Sequence, residues 1–186
     1  MNKYDLVIAI DPDCDRSGVA LLYTASRELE MLNMDFPALV DFLQKIGREC
    51  ARYSQKKVVV VEAGYLVKGN WHTDKEKGIA AAAATGNNTG RNHEVARKIV
   101  ELSRHYGIPT DEIKPLKKCW QGNNGKITHE ELEYVVGHLE KHLNQEARDA
   151  ALIAWVYAGF PVKVKPGNSV MVKQRRNPWQ RKYPPK

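Results

Sequence analysis

Four carboxylates stand out by where they fall in the chain. Asp11 closes the apolar run YDLVIAI at residues 4–10, and Glu62 comes near the end of KVVVVEA at 57–63. Glu146 and Asp149 lie three apart in QEARDAALIAW. A charge at the end of a buried run needs a partner, because burying it alone is costly. Three-residue spacing puts Glu146 and Asp149 on one face of a helix, within its first two turns. Four carboxylates brought to one place repel each other unless cations sit among them. Oxygen-only donors of high negative charge suit Mg²⁺ or Mn²⁺. Two such ions about 3.5–4 Å apart activate a water and stabilise the leaving oxygen of a phosphodiester. Each residue alone has an ordinary reading: Asp11 can cap a turn, Glu62 can pair with a lysine, and Glu-x-x-Asp often marks a solvated face. The joint placement points to Asp11, Glu62, Glu146 and Asp149 as catalytic metal ligands.

The elements that must position them follow from the pattern of apolar residues. YDLVIAI and SGVALLY (17–23) flank a turn containing Pro, Asp and Gly and read as a hairpin. ELEMLNM (28–34) alternates like a half-exposed third strand. Asp35 offers an N-cap and Pro37 a first turn for a helix to about residue 53, with Leu39, Phe42, Leu43, Ile46 and Cys50 on one face. KVVVVEA is the continuous run of a strand covered on both faces. GIAAAAATGNNTG (78–90) joins a helix-favouring alanine run to a Gly/Asn-rich break, and helical periodicity resumes over 92–106. DEIKPL is a weak strand, QGNNGK a loop, and Thr128 with Glu131 forms a capping box opening a helix to about Leu143. Asn144 caps a final helix through Val156, stopped by Gly159 and Pro161. A meander followed by alternating elements implies an α/β fold, a five-stranded mixed sheet with helices on both faces. The crossover brings like ends of parallel strands together, so Asp11 and Glu62 meet at one edge, where open α/β sheets bind ligands. The nearly all-apolar last helix presses its acidic start against that edge.

The 186 residues suffice for one domain, 1–162, followed by a basic tail, 163–186. The net charge is +7; eight Lys or Arg and no acid fall in 163–186, so the remainder carries 7 − 8 = −1. Lys173, Arg175, Arg176, Arg181 and Lys182 are interleaved with Trp179, Tyr183 and several prolines. Such a segment cannot bury a core but can follow phosphates and stack rings on bases, although a solubilising end has the same composition. Cys14, Cys50 and Cys119 are scattered and read as free thiols in a reducing cytoplasm. No apolar stretch reaches the roughly 18 residues of a spanning helix, and the N-terminus lacks a signal-peptide pattern.

Further candidates surround the acidic set. Lys114, Lys117, Lys118 and Lys126 form a basic cluster near the active edge, suited to DNA phosphates or simply to a solvated loop. Lys126 is the choice for stabilising charge that develops on a phosphate. Tyr65 and Trp71 can stack on bases or fill the core. Arg91, Arg97 and Arg104 fit an exposed helix face. His138 and His142 are four apart but lack the Glu-containing zinc pattern, and ATGNNTG lacks the Gly-Lys-Ser/Thr of a P-loop.

AIDPDCDRSGVALL, VVVVEAGY and EARDAALIA together resemble the RuvC family of Holliday-junction resolvases, within the RNase H-like superfamily, over roughly residues 4–160. Asp11, Glu62, Glu146 and Asp149 occupy the family's acidic positions. The resemblance implies Mg²⁺-dependent paired nicking of four-way DNA junctions by a homodimer. It also implies that Tyr65 sits near the junction centre and Lys126 beside the scissile phosphate. Three departures are visible: Asp13 replaces the turn's usual glycine, Glu146 stands where Asp is more usual, and the basic tail exceeds the family core.

Two other classes remain open to the sequence. An actin-like ATPase also begins with an Asp-bearing hairpin, but that group needs two domains and a second Asp-Gly-Gly-type motif. A DNA-binding relative without catalysis shares the fold. Within the nucleases, flap or RNA–DNA hybrid cleavage is an alternative to junction resolution.

Overall fold

The computed structural model describes residues 3–67, 78–139 and 143–164. Trp71, His142 and the tail residues Lys173, Arg175, Arg176, Trp179, Arg181, Lys182 and Tyr183 lie outside these.

Strands β1 (Leu6–Asp11), β2 (Ser17–Tyr23) and β3 (Glu28–Met34) form an antiparallel meander. After helix α1 (Phe36–Arg52), strand β4 (Lys57–Glu62) pairs parallel to β1 on its other side. Helix α2 (Ile79–His105) then leads to β5 (Thr110–Ile113), parallel to β4. Helices α3 (His129–Val136) and α4 (Gln145–Tyr157) complete the order. The sheet runs β3-β2-β1-β4-β5, the expected five-stranded mixed sheet of an α/β fold, a three-strand antiparallel meander plus two parallel strands.

The two-residue period of the strands divides the core. Val7, Ala9, Val58 and Val60 face Leu132, Ile153 and Trp155 on one side of the sheet. Leu6, Ile8, Ile10, Val59 and Val61 face Leu39, Leu43, Ile46 and Ile99 on the other. Central strands covered on both faces therefore show no polar alternation, whereas edge strand β3 does. Among the described residues, charged side chains are buried only with partners: Lys57, 4% exposed, is ion-paired with Glu49 of α1, and the buried Glu131 accepts from the Thr128 amide.

The capping residues act as their types predict. The Asp35 carboxylate accepts from the Ala38 amide at 3.0 Å, and the Asn144 side chain accepts from Ala147 at 3.1 Å. Thr128 and Glu131 form the reciprocal box, at 3.2 and 3.1 Å.

Two boundaries differ from the sequence reading. α3 stops at Val136 rather than near Leu143, because Gly137 adopts φ +102°. The Gly/Asn-rich stretch at 86–90 is not a break: α2 passes through it without interruption. Each glycine there costs about 1 kcal/mol relative to alanine. The alanine run before it and the packed face after it, with Ala96, Ile99 and Val100 buried, offset that cost. Among the described residues, no helix is long and apolar enough to cross a membrane.

Candidate active site

Register places the first two carboxylates. Ile10 on β1 pairs with Val61 on β4, so the next residues of these parallel strands, Asp11 and Glu62, end side by side. On the other side of β1, Asp11 pairs with Gly18 of β2. A Cβ at Gly18 would lie 2.0 Å from the Glu146 carbonyl oxygen and 2.6 Å from the Ala147 nitrogen. The bare backbone of β2 thus accommodates the first turn of α4. Gly18 escaped the sequence reading, although a glycine inside a strand signals close approach by another backbone.

A second device fixes the loop between β5 and α3 to the same helix. The Ile127 carbonyl accepts from Gln145 Nε2 at 3.0 Å and from Arg148 Nε at 3.3 Å. Arg148 also donates to Gln145 Oε1 at 2.8 Å and to the Leu143 carbonyl. Lys126, one residue before this staple, points into the acidic group. Its Nζ is 3.0 Å from Asp149 Oδ2 and 4.0 Å from Glu146 Oε1. The other Asp149 oxygen accepts from Gln145 Nε2 at 2.9 Å. Gln145 and Arg148 were also missed in the sequence, since a Gln and an Arg flanking Glu-x-x-Asp carry no pattern of their own.

Burial pushes the Asp11 carboxyl well above the usual carboxylate range; Glu62, Asp149 and Glu146 push it the same way, while Lys126 opposes them. Glu62 is raised by burial and then by Asp149, against the pull of the Leu116 amide, Lys118 and Lys126. At Lys126, burial works against the ammonium, but Asp149, Asp11 and Glu146 together outweigh it and raise the pKa. Asp11, Glu62 and Lys126 are thus each perturbed by burial and by neighbouring charges, as expected where acids collect around too little positive charge.

Asp11, Glu62 and Asp149 line one pocket with Lys117, Lys118 and Lys126. Its apolar wall includes Leu116, Trp120, Leu152 and Ile153. The donor set is all carboxylate oxygen, and a cation already sits within it, so the chemistry fits Mg²⁺ or Mn²⁺. Among the described residues, the three potential ligands whose atoms lie within 4.8 Å of one another are elsewhere, at Asp13, Cys14 and Asp15 in the β1–β2 turn.

That turn has an occupation of its own. Asp13 Oδ1 accepts from the Asp15 amide at 2.8 Å, and Asp13 Oδ2 accepts from Asn92 Nδ2 at 3.3 Å. Asn92 Oδ1 accepts from the Cys14 amide at 3.1 Å. Asp13 is therefore tied to the turn and to α2, and it does not line the pocket.

The remaining candidates are dispersed. Lys114 is exposed and off the pocket wall. Tyr65, also off that wall, donates its hydroxyl to Glu112, and burial together with this bond pushes its pKa up to about 12. The Arg97 guanidinium lies 4.5 Å from the Tyr65 ring centre, and His93 meets the ring edge-on. Arg104 bonds Glu112 at 2.7 Å, so Arg97 and Arg104 both serve this local network. Arg91 is exposed on α2. His138 bonds Glu133 at 3.1 Å. Cys14, Cys50 and Cys119 are free thiols.

No protein-family model matches the chain, and no curated protein matches it. Among solved structures it is similar to T. thermophilus RuvC in complex with Holliday junction substrate, at 14% identity and a TM-score of 0.42. That match covers 82% of this chain and 92% of that chain. A likeness this distant leaves the reading of the site to its own residues.

Proposed function

We propose that the chain is a divalent-metal-dependent endonuclease that acts on branched DNA, four-way junctions foremost. The observation that supports this most is the sharing of one pocket by Asp11, Glu62 and Asp149, with Lys126 paired to Asp149 and Glu146. A solvated helix face would not draw a lysine from a distant loop or raise the pKa of carboxyls on two strands.

Asp11, Glu62, Glu146 and Asp149 would hold two Mg²⁺ or Mn²⁺ ions. When bound, such ions activate a water and stabilise the oxygen that leaves a phosphodiester. The protein's own contribution is placement. The strand ends fix Asp11 and Glu62; Gln145 orients Asp149; the apolar wall around Trp120 and Leu152 limits water on one side. Lys126 places positive charge where the phosphate gains negative charge. Lys117, Lys118 and Lys114 attract the DNA backbone, and Tyr65 lies toward the junction centre. The tail, 163–186, forms a separate unit beyond the domain 1–162, with Lys173, Arg175, Arg176, Arg181 and Lys182 against phosphates. Paired cuts across a junction require two such sites, which a homodimer supplies.

A panel of labelled substrates tests this reading: a four-way junction, a flap, an RNA–DNA hybrid and a linear duplex, each with Mg²⁺ and with chelator. Metal-dependent cuts concentrated in the four-way junction are expected. Intact strands at stoichiometric protein would refute catalysis, and equal cutting of the linear duplex would refute the preference for branches.

A further inference from the structure

We infer that Lys126 is the resident counter-cation of the acidic pocket, and that a divalent ion must displace it from Asp149 to load. This rests on the proposed metal site and concerns how that site is held ready. Lys126 brings one ammonium to the four carboxyl groups, at 3.0 Å from Asp149 and 4.0 Å from Glu146. It also opposes the repulsion at Asp11 and Glu62, on two different strands. A single ammonium thus serves all four acids.

The loop is built to hold the base of this side chain still. The Lys126 carbonyl accepts from the Gly122 amide at 2.9 Å, and its amide donates to the Asn123 carbonyl at 3.2 Å. A Cβ at Gly122 would stand 2.4 Å from the Lys126 oxygen. Asn124 and Gly125 take φ of +55° and +75° to close the turn. The next carbonyl, of Ile127, is bound by Gln145 and Arg148 of α4. Beyond this anchored backbone the four-carbon stem has rotatable bonds of its own, and lysine binds as a flexible point charge. The ammonium can therefore leave Asp149 without any movement of the backbone.

Lys126 and the metal compete for one oxygen, Asp149 Oδ2, while Gln145 keeps the other. Metal loading would free the ammonium inside the pocket, which Lys117 and Lys118 also line. The same residue thereby stabilises the empty site and becomes available to substrate only after loading. The competition also weakens metal binding, because part of the ion's attraction is spent in breaking an existing pair.

Calorimetric titration of the full chain with Mn²⁺, without DNA, tests this. Lys126→Met should bind Mn²⁺ roughly tenfold tighter than the wild type, the scale of one hydrogen-bonded charge pair. Lys126→Arg, which keeps the charge, should stay close to the wild-type value. Equal or weaker binding by Lys126→Met, with the wild type binding, would overturn the competition and leave the metal site standing. Absence of binding in both would overturn the metal site itself and the competition with it. Should Lys126→Met fail to fold, the wild type still decides: titrating Mg²⁺ into ¹⁵N-lysine-labelled protein should release the protected Lys126 ammonium signal. A signal unchanged at saturation would contradict displacement.

Discussion

Asp11 and Gly18 face each other across the β1–β2 hairpin, and the missing side chain of Gly18 lets the first turn of α4 lie against the sheet. One register pair thus joins a strand-end carboxylate to the helix that carries two more. The obstacle to a side chain at Gly18 is backbone, the Glu146 carbonyl and the Ala147 nitrogen, and cannot be relieved by a rotamer change. Gly18→Ala should therefore cost about 1–3 kcal/mol of stability, the usual range for overpacking. It should also move Glu146 and Asp149 away from Asp11 and remove nuclease activity in the folded fraction. Thermal melts and cleavage assays on the variant check both; a fully active, equally stable Gly18→Ala protein would show that α4 does not depend on this contact.

The raised Asp11 carboxyl predicts a trade of stability for function. In the unfolded chain it titrates near the ordinary value, while in the metal-free fold burial and Glu62 hold it well above. Below the unfolded value both states are protonated and no penalty exists. As pH rises through the interval between the two values, the unfolded state releases its proton first and stability falls. Asp11→Asn removes that loss. In chelator at neutral pH it should be more stable than the wild type by about 1 kcal/mol, the size common for relieving a strained functional group. The gain should disappear toward about pH 4. The variant should bind junction DNA and cut nothing. Denaturant melts across pH measure the difference, and a less stable Asn variant at neutral pH would contradict it.

Gln145 touches Asp149 but is not expected to touch metal or DNA. It donates one amide nitrogen to both Asp149 Oδ1 and the Ile127 carbonyl, so it sets the carboxylate's orientation and ties the Lys126 loop to α4. Gln145→Ala should lower cleavage by about 10–100-fold, as for other groups that orient metal ligands. DNA affinity should be unchanged. The loss should also show as weaker Mn²⁺ binding, a readout that a merely structural role would leave alone.

Truncation after residue 162 removes eight bases and no acid. Each base that contacts a phosphate contributes about 0.9 to the slope of log K against log salt. Anisotropy titrations over a salt series should therefore show weaker binding and a flatter slope for the truncated chain. Equal slopes would mean that the tail does not touch DNA.

Much of this fold could be read from the chain because its signals are local. Asp35, Thr128 with Glu131, and Asn144 each cap a helix by contacts within three residues. The alternation in β3 and its absence in β1 and β4 report edge and centre directly. The acids at two strand ends and one helix start were legible for the same reason. What stayed hidden depends on residues far apart in sequence. The Gly18–Glu146 approach spans the chain, and the Asn92 amide that holds Asp13 and Cys14 sits 78 positions from Cys14. Tyr65 could be noticed, but not its bond to Glu112 or the Arg97 guanidinium over its ring. The helix through 86–90 was obscured because residue preference there opposes a structure set by packing further along α2.

The central claim is that these acids hold divalent ions around Asp11. Anomalous diffraction from crystals soaked in Mn²⁺ tests it most directly. The account predicts density contacted by Asp11 and Asp149, with the Lys126 ammonium moved off Asp149. No density in the pocket, or Mn²⁺ only at the Asp13–Asp15 turn, would contradict it.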